Sequence, residues 1–174
     1  MTQVPSADPI AALIGALDGM LARVALSGDR ALLRQIVGAD AAHMLTGIPG
    51  SARAVLVGAQ VEGRLAALGR RHPGAVTLLL GEGGRTIGMM MLDWPSSGIV
   101  TLLDLTLLPG SRRQGRGGKA LSALCGVADQ AGRTLRADLF YDNPARRLLA
   151  RAGFILVGDD ATDIVLERRP AGFA

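Results

Sequence analysis

GIVTLLDLTLLPGSRRQGRGGKAL, residues 98–121, is the stretch around which the rest of this chain is organised. Ile99 to Leu108 is an apolar run broken only by Thr101, Asp104 and Thr106, the pattern of a central strand covered on both faces. Pro109 and Gly110 stop it. Beyond the loop, apolar residues return at Leu121, Leu124, Cys125 and Ala128, which is helical spacing. A helix opening on such a loop offers backbone amides without internal acceptors and the positive end of its dipole. Glycine lets the backbone approach a ligand closely, and Arg112, Arg113, Arg116 and Lys119 fall within eight residues. The local chemistry is that of a phosphate site.

Spacing decides which phosphate loop this is. A nucleotide P-loop needs Gly, four residues, then Gly-Lys-Ser/Thr. Arg113 stands where the first glycine belongs, and Ala120 replaces the hydroxyl after Gly118-Lys119. A dinucleotide fingerprint fails as well, because Ala120 sits at the third glycine after Gly115 and Gly117. What fits is Arg-x-x-Gly-x-Gly at Arg112, Gly115 and Gly117, three residues past Pro109.

The 174 residues make one ordinary domain, read as a tail and extra helix over 1–19 followed by a single domain over 20–174. With 49% apolar and 20% charged residues the chain can bury a full core. The net charge of +4 is scattered, densest in the loop above, and Lys119 is the one lysine among arginines. Single-stranded nucleic-acid binders interleave aromatics with basic residues, and 3% aromatic content speaks against that class, so no nucleic-acid partner is expected. The single Cys125 allows neither an internal disulfide nor a zinc cluster, which points to a reduced, cytoplasmic setting. The opening MTQVPSADP lacks a basic-then-apolar leader, and no apolar run approaches the ~18 residues of a membrane span. His43 and His72 are too far apart to suggest a metal pair, so no metal is expected.

Taken in order, residues 1–7 read as a frayed tail, and Asp8-Pro9 as an N-cap with proline at the first helical position. Ile10, Leu13, Ile14 and Leu17 form a helical stripe, Leu21–Leu26 a short strand, and Ser27-Gly28-Asp29 the start of a second helix. After a break at 47–50, a third helix is predicted over Ala52–Leu68. Val76–Leu80 and Thr86–Leu92 read as a hairpin joined by Gly81-Glu82-Gly83-Gly84. Past the loop and its helix, Leu135, Ala137, Leu139 and Tyr141 alternate against Arg136 and Asp138, the pattern of a strand. A helix bearing Leu148, Leu149 and Ala152 follows, then closing strands at Phe154–Val157 and Ile164–Leu166. This order describes an α+β fold, a mixed sheet flanked by helices, with residues 99–141 as a parallel strand–helix–strand unit. Ligands settle at the carboxyl end of the first strand of such a unit, where the loop lies.

A second motif gives the loop its meaning. Asp142-Asn143-Pro144-Ala145-Arg146-Arg147-Leu148-Leu149-Ala150-Arg151-Ala152-Gly153-Phe154 is a capped amphipathic helix ending on glycine. Together with Arg-x-x-Gly-x-Gly it resembles the GNAT superfamily of N-acetyltransferases, whose segment reads Asn-x-x-Ala-x-x-Leu-Tyr-x-Lys/Arg-x-Gly-Phe. The likeness covers residues 75–169 well and residues 20–74 by element order only. It implies a sheet whose central strand and the next one splay apart to admit acetyl-CoA as co-substrate. Leu105, Thr106 and Leu107 would then meet pantetheine through their backbone. Amides of Arg113, Gln114, Gly115, Arg116, Gly117 and Gly118 would cradle the pyrophosphate, with Arg112, Lys119, Asn143 and Arg146 also on the cofactor. The acetyl group would pass directly to an amine. Dimerisation is common in the family, which makes a homodimer compatible with the resemblance, and these residues do not decide it.

Two departures bear on the chemistry. Leu149 occupies the position of the tyrosine that commonly serves as acid, and Asp142 that of the family asparagine, with Asn143 one place late. Tyr141, the single tyrosine, is the candidate substitute for the acid. Asp104, a carboxylate inside an apolar strand, is the candidate base, since desolvation raises a carboxyl pKa, and its competing reading is a structural aspartate. Asp93 and Glu82 are expected to be solvated near turns, and Trp94 either to wall an acceptor pocket or to pack a turn. Direct N-acetyl transfer is one reading, and an acyl-CoA-binding module that no longer transfers is the other. Nothing in the residues before Ala75 chooses the amine acceptor.

Overall fold

The computed structural model describes residues 8–44, 50–160 and 162–172, with the side chains of 40–44, 50, 51 and 53 outside the description. The tail at 1–7, most of the break at 47–50 and the His43 side chain therefore lie outside the described residues. Helix α1 (Pro9–Ala16) is capped by Asp8, whose carboxylate accepts from the Ile10 amide at 2.9 Å. Strand β1 (Leu21–Val24) leads through a 3₁₀ turn at Ser27–Asp29 into α2 (Arg30–Met44). Helix α3 (Gly50–Arg71) is longer than the predicted Ala52–Leu68 at both ends. Then come β2 (Val76–Glu82), β3 (Arg85–Asp93), β4 (Val100–Leu107), α4 (Arg116–Gln130), β5 (Leu135–Phe140), α5 (Ala145–Arg151), β6 (Ile155–Asp159) and β7 (Asp163–Arg168).

The seven strands form one mixed sheet in the order β1-β2-β3-β4-β5-β7-β6. Every neighbouring pair is antiparallel except β4 and β5, which run parallel across the α4 crossover, as the strand–helix–strand pattern requires. The β2–β3 turn is two residues, Gly83-Gly84, so Glu82 belongs to the strand.

Two packed layers close over the sheet. The main core gathers Leu13 of α1, Leu17 just past its end, Leu121 and Leu124 of α4 and Leu149 of α5 over Leu78, Met90, Val100 and Leu135. The second sets Ile36 and Val37 of α2 and Val61 of α3 against Leu79 and Met89. Adjacent Met89 and Met90 thus fill opposite faces, as alternation along a strand demands.

Strand β4 does not bury both faces as its apolar run suggested. Residues 100, 102, 104 and 106 are buried, while 101, 103, 105 and 107 are only half-buried. The ladder with β3 explains part of this: Leu92 pairs with Leu102 and Met91 with Asp104, so Leu103 is the extra residue of a bulge. The bulge exchanges the faces. Val100 and Leu102 point into the main core, and beyond it Leu105 and Leu107 pack against that core instead. Asp104 and Thr106 are left facing the α2–α3 side.

Candidate active site

Strands β4 and β5 are paired only at Val100–Leu135, Thr101–Arg136 and Leu102–Ala137. Past Leu102 the ladder stops although β4 continues to Leu107 and β5 to Phe140. The two strands diverge and open a gap at the carboxyl end of β4. The direction of each backbone group there follows from the β3 ladder. Leu108 donates its amide to Ile87 O at 2.8 Å, and alternate residues of a strand turn to opposite edges. Thr106 therefore faces β3, and the peptide groups of Leu105 and Leu107 face the gap.

The gap runs into the phosphate loop. A 3₁₀ turn at Pro109–Ser111 is closed by the Ser111 amide on Leu108 O (2.8 Å), and the Arg112 guanidinium Nε donates to Leu107 O at 2.7 Å. Arg113 has φ 59° and Gly115 φ 77°, ψ −9°, both left-handed, before the chain turns right-handed into α4. Glycine carries no Cβ penalty in that conformation, which is why Gly115 can open the helix. Left- and right-handed residues in succession point their amides to one concave side, an anion-binding nest. Amides of Arg116, Gly117 and Gly118 fall in the first turn, where no intrahelical acceptor exists, while that of Lys119 already bonds Gly115 O at 3.0 Å.

The loop's cations are not all turned outward. Arg116 is only 19% exposed and bonds Glu82 of β2 through Nε (3.0 Å) and a second guanidinium nitrogen, and also the Gln114 carbonyl. Gln114 in turn donates to Gly110 O at 2.9 Å. The Arg116 hydrogen bond, helped by the charges of Arg116 and Lys119, holds the Glu82 carboxyl below its ordinary value against an opposing cost of desolvation. Glu82 is exposed beside the Gly83-Gly84 turn, as expected, and in addition braces the loop. Asp93 is less solvated than expected, 24% exposed, with its carboxylate 2.8 Å from His72 Nδ1, which ties the end of β3 to the segment after α3. Trp94 packs, partly buried, against the main core.

Asp104 is buried, with its side chain 4% exposed. Thr106 donates its hydroxyl to one carboxylate oxygen at 2.7 Å, and Arg64 of α3 lies 2.8 Å from the other. Arg64 is itself 46% exposed, so the pair bridges from the interior of β4 to solvent across α3. Burying a carboxylate demands such compensation. Sequence reading missed Arg64. Its one signal is position: it lies three residues after Val61, on the stripe of α3 that turns towards the sheet.

At the end of β5 the chain turns sharply. The strand stops at Phe140, so Tyr141 lies in the turn and is 57% exposed, its ring capped by the Arg146 guanidinium 5.3 Å from the centroid. The Asn143 side chain accepts from the Ala145 amide at 2.9 Å, capping α5 one residue later than the family asparagine. Tyr141, Asn143, Arg146 and Arg147 line a shallow depression of about 370 Å³. Leu149 is 3% exposed in the main core. The structure brings the loop, the open edge of β4 and the β5–α5 turn to one end of the sheet. Asp104 lies behind that edge, on the α2–α3 side.

The model of the acetyltransferase (GNAT) family matches residues 53–154, more than half of the chain, and spans both the loop and the β5–α5 segment. The chain belongs to the GNAT acetyltransferase family. It is therefore an acyltransferase by family, on a fold shared with solved relatives. It is similar to the PaiA N-acetyltransferase of Thermoplasma acidophilum in complex with coenzyme A, with 14% identity, a TM-score of 0.65 and coverage of 86% of this chain and 98% of that one. YncA of Salmonella typhimurium with acetyl-CoA gives 23% identity, a TM-score of 0.56 and coverage of 90% and 97%. The ribosomal-protein-S18-alanine N-acetyltransferase of Escherichia coli gives 16%, 0.61, 89% and 96%. Comparison with curated protein sequences finds no match. Among the described residues no helix is long and apolar enough to cross a membrane, and no group of three or more His, Cys, Asp or Glu is placed to hold a metal ion.

Proposed function

We propose that the protein is an N-acetyltransferase that moves the acetyl group of acetyl-CoA directly to a primary amine. The observation that carries this is the gap between β4 and β5, whose three-residue ladder leaves the Leu105 peptide group and the Leu107 amide facing the gap, with Leu107 O taken by Arg112, and leads into the amide nest of the loop. An extended amide-bearing chain such as pantetheine fits an open strand edge, because it can complete the missing ladder. A pyrophosphate fits a helix N-terminus with free amides and left-handed glycine. Each charge-assisted bond there is worth about 1.5–3 kcal/mol. Arg112, Arg113, Lys119, Asn143 and Arg146 supply further donors around the same end, and Arg116 acts by holding the loop on Glu82.

Transfer to an ammonium needs a base, and departure of the thiolate is helped by an acid. Asp104 is the proposed base. Because it is almost fully buried, a water or the Thr106 hydroxyl must relay the proton to it. Tyr141 is the proposed acid, at the mouth of the gap and exposed. The second reading, a module that binds acyl-CoA without transferring, is favoured by Leu149, which places core where the family has its acid. An amine screen that follows release of the CoA thiol separates the two. Acetylation of any amine at a rate above hydrolysis supports transfer, and binding of acetyl-CoA without turnover across the screen supports the binding module.

A further inference from the structure

Helices α2 and α3 close their side of the sheet over β2, β3 and β4. Register carries the same face onward, because Thr101 lies beside Arg136, and Arg136, Asp138 and Phe140 of β5 lie beside Glu167, Val165 and Asp163 of β7. Ile155 of β6 continues it beyond Glu167. Among the described residues no side chain on this half of the face is buried, with Phe140 67% and Ile155 63% exposed. The opposite face of the same strands buries Leu135, Ala137, Ile164 and Leu166. Phe140 and Ile155, with half-buried Val165, thus leave large apolar side chains open to water among charged ones, as interaction surfaces do.

Charge says what kind of partner that is. Arg136 is bonded twice to Glu167, at 3.0 and 2.6 Å, so those two cancel. Asp138 and Asp163 remain, both exposed, one two residues before Phe140 and the other directly opposite it. Asp160 at the neighbouring β6–β7 turn is exposed too, with its carboxylate accepting from the Thr162 and Asp163 amides, while Asp159 pairs with Ile164 and so belongs to the opposite face. In a chain of net charge +4 this is an aromatic and aliphatic surface flanked by carboxylates. Phe140 also ends the strand that diverges from β4, so the surface adjoins the gap.

We propose that this uncovered half-sheet docks the acceptor, and that the acceptor is a cationic polypeptide segment presenting its amine. The step at the gap rests on the transferase reading above; the docking itself does not. A flat face of three strands gives a polypeptide segment length to lie across, whereas small ligands are held in concave sites that enclose most of their surface. Lysine or arginine side chains find carboxylates and the Phe140 ring, and apolar neighbours find Val165 and Ile155. A two-fold copy of the same face would set Asp138 and Asp163 against their own charge.

The test is fluorescence anisotropy of the full chain with a labelled lysine-rich peptide containing interspersed leucines. The same peptide with glutamate for lysine, and spermidine as a competitor, serve as controls. Phe140→Ser and the double change Asp138→Asn, Asp163→Asn are compared with wild type, with circular dichroism and acetyl-CoA calorimetry confirming that fold and loop are intact. The expected result is saturable binding of the lysine peptide alone, weakened by salt, and a loss of about tenfold or more in both variants. Equal binding of the two peptides, unchanged affinity in the variants, or displacement by spermidine at concentrations matching the peptide would overturn the proposal. So would a wild-type dimer that Phe140→Ser converts to monomer, because a second copy would then own the face. Peptide binding without acetyl-CoA binding would fault the transferase reading and leave the docking surface standing.

Discussion

Gly88→Ala strikes the site from behind. Gly88 lies in β3 opposite Leu107, and a Cβ added there would stand 2.3 Å from Thr106 O, 2.8 Å from Leu107 Cδ2 and 2.9 Å from Leu107 Cα. Two of those three atoms are β4 backbone, so a rotamer change relieves only one. To restore even the 3.0 Å that real Cβ contacts respect, Thr106 O must retreat by roughly 0.7 Å. Overpacking of this kind costs about 1–3 kcal/mol, and a loosened ladder bond adds about 1 kcal/mol. A total near 2–4 kcal/mol lowers Tm by roughly 4–16 °C in a domain of this size. The moved segment is the one proposed to line pantetheine, so acetyl-CoA affinity should fall as well. Urea denaturation followed by circular dichroism, with a parallel acetyl-CoA titration, measures both effects. Gly63→Ala is the control, since nothing lies within 4 Å of its Cβ and helical alanine stabilises by about 0.5–1 kcal/mol. A Gly88→Ala protein as stable as wild type, with the same acetyl-CoA affinity, would refute the close approach of β3 and β4.

Three further outcomes follow from the same geometry. Arg64→Met removes a guanidinium from a carboxylate that is 4% exposed and should cost about 1–3 kcal/mol, partly recovered when Asp104→Asn is added; additivity of the two changes in denaturation experiments would count against the pair. Gly115→Ala meets no atom within 4 Å but keeps φ 77°, so stability should drop by only about 1 kcal/mol while acetyl-CoA affinity drops tenfold or more; a thermal shift without an affinity change would argue against the nest. The Asp129 carboxyl is held below its ordinary value, first by the Arg168 hydrogen bonds, then by the Ala171 amide and the Arg168 charge, against a burial cost. A carboxyl depressed in the folded state stabilises above its unfolded value, and that stability is lost as pH falls through the folded value. Wild type should therefore weaken below about pH 4, and Asp129→Asn should start less stable and show a flatter acid limb in denaturation at several pH values.

Much of the fold was legible because its signals are local. The apolar run of β4, Pro109, the glycines of the loop and the Asp8-Pro9 cap each act through the backbone of their own neighbourhood. The parallel pair followed from a helix between two strands. What failed were matters of partnership across the chain. The partners of Glu82 and Asp93 stayed hidden because nothing near them in sequence announces Arg116 or His72. The bulge at Leu103, which turns Asp104 towards α3, depends on register with β3 and leaves no mark in the run of leucines. Arg64 lies 40 residues from Asp104 in a helix whose amphipathic pattern explains it without any site. Tyr141 is closer to its expected place at a strand end: β5 closes at Phe140, and the Tyr141 amide on Thr162 O continues the β5–β7 register by one pair. Fold thus came from pattern, and the site's charges came from topology.

The most direct measurement is a calorimetric titration of the folded protein with acetyl-CoA, with CoA and ATP as controls. The gap and the amide nest predict saturable binding of acetyl-CoA and CoA, no comparable binding of ATP, and loss of the acetyl-CoA signal when Gly117 is replaced by a bulky residue in a variant whose fold is checked by circular dichroism, since a Cβ there already meets Leu148 Cδ2 at 3.5 Å and Leu107 Cδ1 at 3.7 Å. Absence of acetyl-CoA binding, or binding that survives the Gly117 change undiminished, would contradict the assignment of the loop and the transferase reading with it.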